Sequence, residues 1–191
     1  MKNTIIIFFL VMSTNCLSQS TTQYLLDVLP IIEGSVKYIG IEKLDSLNRN
    51  IIYDRGKRWV VDSYKSANDV IQLDDKENGE IVLKGYFKEN WEATFMTIIA
   101  VDIYQTVKLQ FKDGRYRYEI GNIRFKYRTS GTTIGTTYIS GGSFDVSPEE
   151  FAKGRKKNAQ KFFVKINNHL LSIINSITNH MKEDIKVKQD W

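Results

Sequence analysis

Between residues 97 and 112 the odd positions Ile99, Val101, Ile103, Val107, Leu109 and Phe111 are apolar, whereas Asp102, Thr106, Lys108 and Gln110 are polar. Period-two alternation over that length predicts a long strand with one buried face. Asp113-Gly114 follows, and Asp-Gly between two alternating runs signals a tight hairpin because both residues tolerate positive φ. In the return strand the polar positions are odd at Arg115, Arg117 and Glu119 but even at Asn122, Arg124, Lys126 and Arg128. That one-residue phase change at a glycine predicts a β-bulge near Gly121 and Asn122. The bulge keeps Tyr116, Tyr118, Ile120, Ile123, Phe125 and Tyr127 on one apolar face.

Upstream, residues 31–41 (IIEGSVKYIGI) are β-branched and aromatic with partial alternation, a first strand that Gly34 and Gly40 bend or place at an edge. Asn48 is a cap for a helix to about residue 66, with Ile52, Gly56, Trp59, Val60 and Tyr64 at three- and four-residue steps. Gly56 costs a helix about 1 kcal/mol relative to alanine, so its use is close approach to a sheet. Residues 70–73 and 81–87 read as strands joined by an acidic turn in which Asn78-Gly79 supplies positive backbone angles. Residues 129–143 (TSGTTIGTTYISGGS) read as a long loop or a weak extra hairpin. Ser147-Pro148-Glu149-Glu150 then combines a cap, a proline at the first helical position and a capping-box glutamate. The helix is expected to reach about residue 182, burying Phe151, Ala159, Phe162, Phe163, Ile166, Leu170, Ile173, Ile174, Ile177 and Met181.

Composition narrows the class. A chain of 191 residues, 42% hydrophobic and 26% charged, with two prolines and twelve glycines, fits one globular domain with few disordered tracts. The first twenty residues, MKNTIIIFFLVMSTNCLSQS, follow the export-signal pattern of a basic start at Lys2, an apolar run over 5–12 and a small-residue end. That run is too short to span a bilayer as a helix. Cleavage after Ser18 starts the mature chain at Gln19. Lipidation of Cys16 fits less well, because no leucine stands three positions before it and no small residue immediately before it. Cys16 is the only cysteine, so the cleaved chain is expected to lack disulfides, a thiolate nucleophile and cysteine metal ligands. Loss of Lys2 lowers the formal charge from +5 to +4, leaving a moderate basic bias. The expected organisation is a signal peptide over 1–18, a lead-in over 19–30, a single domain over 31–182 with the Gly/Thr/Ser-rich loop at 129–143, and a tail over 183–191.

The order strand, helix, four strands, long helix joins a second signal, the stretch RGKRWVVDSYKSANDVIQLDDKENGEIVLKG over 55–85. The carrying features are Lys57-Arg58-Trp59, the strand around Leu73-Asp74-Asp75, Gly79 in its turn, Gly85 after the next strand, and the hairpin KDGRYRY over 112–118. Together they resemble a family of exported Bacteroidetes proteins known as a domain of unknown function with a TBP-like fold. The likeness covers about residues 31–128 in motif and the last helix in position. It implies an α+β fold in which a curved antiparallel sheet is covered on one face by helices. It carries over no catalytic residue and no activity, and fold alone does not imply DNA binding.

The chemistry-bearing residues exclude more than they assign. His169 and His180 stand eleven positions apart, about 16 Å along a helix, and so cannot share one metal ion. A calcium loop starting at Asp74 needs oxygen ligands at its third and fifth positions and a glutamate at its twelfth, where Lys76, Asn78 and Gly85 stand. Asp74, Asp75 and Glu80 as an acid–base pair would need a pocket that splits their pKa values, whereas a two-strand turn opens to water. Arg115, Arg117, Arg124, Lys126 and Arg128 project from one strand face, and Lys153, Arg155, Lys156, Lys157, Lys161 and Lys165 crowd the last helix. These are solvated faces or an attraction for an anionic surface. Tyr116 and Tyr118 alternate away from the arginines, which places them in the core rather than on a nucleic-acid platform.

The expected function is a non-catalytic envelope binding module that takes an apolar or amphipathic ligand or peptide in a groove between helix and sheet. No catalytic, cofactor or metal residue is assigned, and nucleic acid is not an expected partner of an exported chain. The alternative is a structural assembly partner that docks through the last helix, around residues 173–181. A third expectation is a carboxylate-dependent enzyme using Asp74, Asp75 or Glu80.

Overall fold

The long alternating run forms one strand, β6, over Thr97–Lys112, and Asp113-Gly114 turns it tightly into β7, Arg115–Thr129. Gly114 sits at φ 71, where a side chain would be strained. A computed structural model describes residues 27–64, 66–94, 97–134, 137–139, 141–153 and 157–183, without the side chains of 132–139, 157 and 158. The signal segment 1–18, Cys16 and most of the lead-in lie outside the described residues, as do Arg155, Lys156 and all of the tail after residue 183.

The bulge falls where the phase change places it. Tyr104 pairs with Arg124 and Thr106 with Gly121, so two residues of β7 oppose Gln105 alone, and Asn122 takes φ 51. The preceding strand β5, Glu80–Thr94, pairs with β6 along nearly its whole length and continues past residue 87, where the sequence pattern ends it. Phe87 and Trp91 keep an apolar face on that extension. Strand β4, Ile71–Asp75, pairs with the start of β5 across the turn at 76–79.

The run 31–41 is not one strand. Glu33 at φ 53 and Gly34 at φ 76 fold it into a small hairpin, β1 (Ile31–Ile32) with β2 (Ser35–Val36), before β3, Tyr38–Lys43, lies antiparallel on β7. The ring of Tyr118 packs over Gly40, which is why that cross-strand partner has no side chain. Within the Gly/Thr/Ser-rich loop a short hairpin forms, β8 (Thr132–Ile134) with β9 (Thr137–Ile139). It is followed by β10, Gly142–Val146, which pairs with the end of β7 and has no counterpart in the sequence reading. The main sheet is thus six strands in the order β10-β7-β6-β5-β4, with β3 also on β7.

Helix α1, Arg49–Ser63, starts at the expected cap, with the Asn48 side chain accepting from the Ile51 amide at 3.0 Å. It ends three residues early, at an extended Tyr64, and a short α2, Ala67–Val70, follows. The capping box at Ser147 and Glu150 is formed in full, yet the expected single C-terminal helix is two. Helix α3, Pro148–Ala152, ends at Lys153, whose ψ of 122 leaves the helical region, and α4 runs over Lys157–Lys182. The expected stripe is the core: Phe151, Ala159, Phe162, Phe163, Ile166, Leu170, Ile177 and Met181 are buried, and Ile173 and Ile174 are half-buried against it. Both long helices lie on the same sheet face, joined by a hydrogen bond from Trp59 Nε1 to Ser176 Oγ at 3.0 Å. The buried Arg55 donates to the Met181 carbonyl at 2.6 Å, a cation at the C-terminal end of α4 where the helix dipole favours it.

Candidate functional site

The acid-rich turn is fully engaged in structure. Asp74, on the edge strand, accepts hydrogen bonds from the Tyr53 hydroxyl and, at 2.6 Å, from Lys57 Nζ. Asp75 closes its own turn, accepting from the backbone and side-chain nitrogens of Asn78 at 2.9 and 2.7 Å. Glu80 pairs with Lys108 at 2.8 Å and accepts from Gln110 at 3.0 Å. All three carboxyl groups are pulled below the ordinary range: Asp74 by Lys57 first and then Tyr53, Asp75 by Asn78, and Glu80 by Lys108. A general acid needs its pKa raised while its partner stays low. These three are held ionised together and do not converge on a pocket, so the carboxylate-pair expectation fails at these residues.

The histidines serve packing. The His169 ring stacks on Phe87 with centroids 3.7 Å apart, and burial pushes its pKa down while Glu89 pulls the other way. His180 Nδ1 lies 3.0 Å from the Ser176 carbonyl oxygen, with Nε2 3.8 Å from Asp62. Among the described residues no group of three His, Cys, Asp or Glu side chains could hold a metal ion.

The seam between helices and sheet is filled, which corrects the expected groove. Ile81, Leu83, Val107 and Leu109 from the sheet meet Phe163, Ile166, Leu170 and Ile177 from α4, all without solvent exposure. The polar spot in this layer is Gln105, 4% exposed, whose Oε1 has no hydrogen-bond partner. Its Nε2 and the Tyr64 hydroxyl crowd Gly85, where a Cβ would lie 3.3 and 3.2 Å from them. Of the docking surface expected at 173–181, Ile177 and Met181 are wholly buried in the core, while Ile173 and Ile174 are half-buried against it.

Among the described residues no helix covers the opposite sheet face, and its outward side chains form ladders of opposite charge. Lys88 lies 3.7 Å from Asp102, Lys126 3.5 Å and Arg124 2.8 Å from Asp145, and Arg117 2.6 Å from Glu119. The predicted basic face is therefore largely neutralised by its own sheet. Arg115 and Arg128 make no ion pair among the described residues. On α4, Lys165 reaches the edge of β5, donating to the Asn90 carbonyl at 3.3 Å between Glu89 and Glu92. In the middle of the open face the Tyr86 and Tyr104 rings stack at 5.4 Å, with Lys126 Nζ 4.7 Å from the Tyr104 centroid.

At one end of this face β6 and β7 part. Their ladder stops at Val101 and Tyr127, β7 continues against β10, and a concavity of about 830 Å³ opens between them. Ile98, Ala100, Asp102, Arg128, Ser143 and Phe144 are among its walls. Ile98 is 67% and Phe144 42% exposed, the latter stacked on Tyr127 at 4.9 Å. Sequence reasoning missed this notch because its walls come from three separated segments, one of them the unforeseen β10. The signal that was present is a set of apolar residues, Tyr86, Ile98 and Tyr104, at outward positions of otherwise polar alternation.

Comparison with known proteins points to one family. No curated protein matches the chain. A DUF4468 family protein from Bacteroides ovatus superposes with a TM-score of 0.61 at 17% identity, covering 86% of this chain and 96% of that one. A TBP-like protein from Parabacteroides distasonis superposes with a TM-score of 0.53 at 15% identity, covering 80% and 98%. The α+β arrangement is therefore the TBP-like one, as the sequence resemblance implied. The model of the domain of unknown function with TBP-like fold, DUF4468, matches residues 39–126 of this chain, the stretch that holds β3 to most of β7.

Proposed function

We propose that the chain is an exported, non-catalytic binding module of the cell envelope that holds an amphipathic ligand or peptide in the notch where β6 parts from β7, a notch that β10 also helps to wall. The carrying observation is the contrast between the two sheet faces. One is sealed by α1 and α4, while the other keeps an open concavity of about 830 Å³ with apolar and charged walls together. That volume is within the roughly 300–1,000 Å³ range of small-molecule sites, and its mixed walls suit a ligand with both apolar and charged parts. Export rests on the pattern of residues 1–18.

Native mass spectrometry of the chain purified from the periplasm, beside Ala100→Trp, tests this. Ala100 is exposed on the notch wall, so the indole fills the notch without entering the core. The expected result is a copurified adduct on the parent chain that Ala100→Trp lacks. An adduct that survives the substitution, or a bare parent chain, contradicts the proposal.

A further inference from the structure

The notch is bounded by a strand edge. Strand β6 continues to Thr97, paired with β5, but its ladder with β7 ends at Val101. In an antiparallel ladder, successive residues turn their backbone groups to opposite sides. Phe111 donates its N–H to Gly79 on the β5 side at 2.8 Å. The β5–β6 register is unbroken from Glu80–Gln110 to Glu92–Ile98, so odd residues of β6 face β5 and even ones face away. Ile98 therefore turns its N–H and C=O into the notch, with no ladder partner among the described residues. The bridge of Val101 with Tyr127 engages the backbone of Ala100, so the free edge is residues 97–99, about 10 Å at about 3.4 Å per residue, room for some three residues of an added strand.

The side chains around that edge specify a charge. Asp102 is matched by Lys88, and Asp145 by Arg124 and Lys126. Arg128, the exposed guanidinium on the far wall, has no ion pair among the described residues, so the uncompensated charge in the notch is positive. Beside it stand the exposed Ile98 and the half-covered ring of Phe144. A strand added to β6 places alternate side chains on the two sides of the sheet. On the open side one set meets Arg128 and Ile98, and on the helical side the other meets the ring of Phe144, which pairs with Tyr127.

We propose that the free edge of β6 accepts an extended peptide alternating carboxylate and apolar side chains, a carboxylate of which pairs with Arg128. This rests on the binding-module reading and names its ligand class. Strand addition takes main-chain hydrogen bonds for affinity and alternate side chains for specificity, and a planar guanidinium suits a carboxylate.

The test uses the full mature chain and fluorescein-labelled hexapeptides alternating glutamate with valine, leucine or phenylalanine, read by fluorescence anisotropy. Lysine counterparts and versions N-methylated at alternate amides are run beside them. The glutamate set is expected to bind at least about tenfold more tightly than the lysine set, since a hydrogen bond to a charged group contributes about 1.5–3 kcal/mol. Arg128→Glu is expected to reverse the preference, and N-methylation to weaken binding. Equal binding of acidic and basic peptides, indifference to N-methylation, or an unchanged preference in Arg128→Glu overturns the proposal. Sodium dodecanoate, titrated alone, separates the two levels. If it binds the parent chain but not Ala100→Trp while no hexapeptide binds, the peptide inference falls and the binding-module reading stands. If no probe distinguishes the parent from Ala100→Trp, both fall.

Discussion

Replacing Gly56 by alanine should destabilise the fold, although in an exposed helix the same change stabilises it. Alanine in a helix interior is favoured over glycine by about 1 kcal/mol. Here a Cβ at residue 56 would lie 2.5 and 2.8 Å from Phe111 Cζ and Cε1, and 3.0 Å from Met181 Cε. The Phe111 ring is buried and held edge-on by Tyr53 at 5.4 Å, so it cannot swing away into solvent. Overpacking a core costs about 1–3 kcal/mol, and contacts this short with a trapped ring belong at the upper end, about 3 kcal/mol. The net loss is then about 2 kcal/mol, a fall in Tm of about 4–8 °C for a chain of this size. Thermal and urea unfolding of Gly56→Ala read it directly. The double substitution with Phe111→Leu should lose less than the sum of the two single changes, because the new methyl and the shortened side chain share one space. A rise in Tm for Gly56→Ala would refute the close approach of α1 to β6.

Three further outcomes follow from the same geometry. Gln105→Met should leave stability unchanged or raise it by about 1–2 kcal/mol in urea unfolding, because it removes a buried oxygen without a partner; a loss above about 1 kcal/mol would show that the amide is bonded. The carboxyl groups of Asp74, Asp75, Glu80 and Asp145 are all depressed in the fold. Their stabilisation is full above the unfolded values near 4 and is lost as pH falls through the folded ones. The neutral form favoured at His169 adds a loss of the same sign below about pH 6.5. Urea midpoints should therefore fall from pH 7 to 2, first with His169 and then with the carboxylates, and Asp74→Asn should flatten the lower limb; an unchanged lower limb would count against the Lys57 and Tyr53 contacts. N-terminal sequencing of the chain recovered from whole cells should begin at Gln19, and a chain beginning at Met1 and confined to the cytoplasm would remove export from the proposed function.

Local rules made much of this fold legible. The phase change at Gly121 located the bulge, Asn48 and Ser147 located two helix starts, and Gly56 announced a close approach. Each depends on neighbours within a few residues, so the sequence carries it directly. What failed depends on distant partners. Strand β10, a short segment beginning at a glycine, is a strand because the end of β7 offers it an edge. The break after α3 separates two helices that share one apolar stripe, and a stripe has the same period whether or not the backbone is continuous. The hairpin around Asn78-Gly79 is legible in the sequence, and the structure places Asp74, Asp75 and Glu80 on the strand ends beside it and adds what each carboxylate holds. The notch was out of reach because alternation shows which side of a strand faces outward, not where two strands part.

Photo-crosslinking in the periplasm tests most directly which sheet face works. A benzoyl-phenylalanine introduced at Ile98, in the notch, is compared with one at Leu171, an exposed position on α4. Crosslinked product at Ile98 and none at Leu171 is the predicted result, and it should disappear when Ala100→Trp is added. Product at Leu171 with none at Ile98 would contradict the account, because it would place the partner on the helical side rather than on the open sheet.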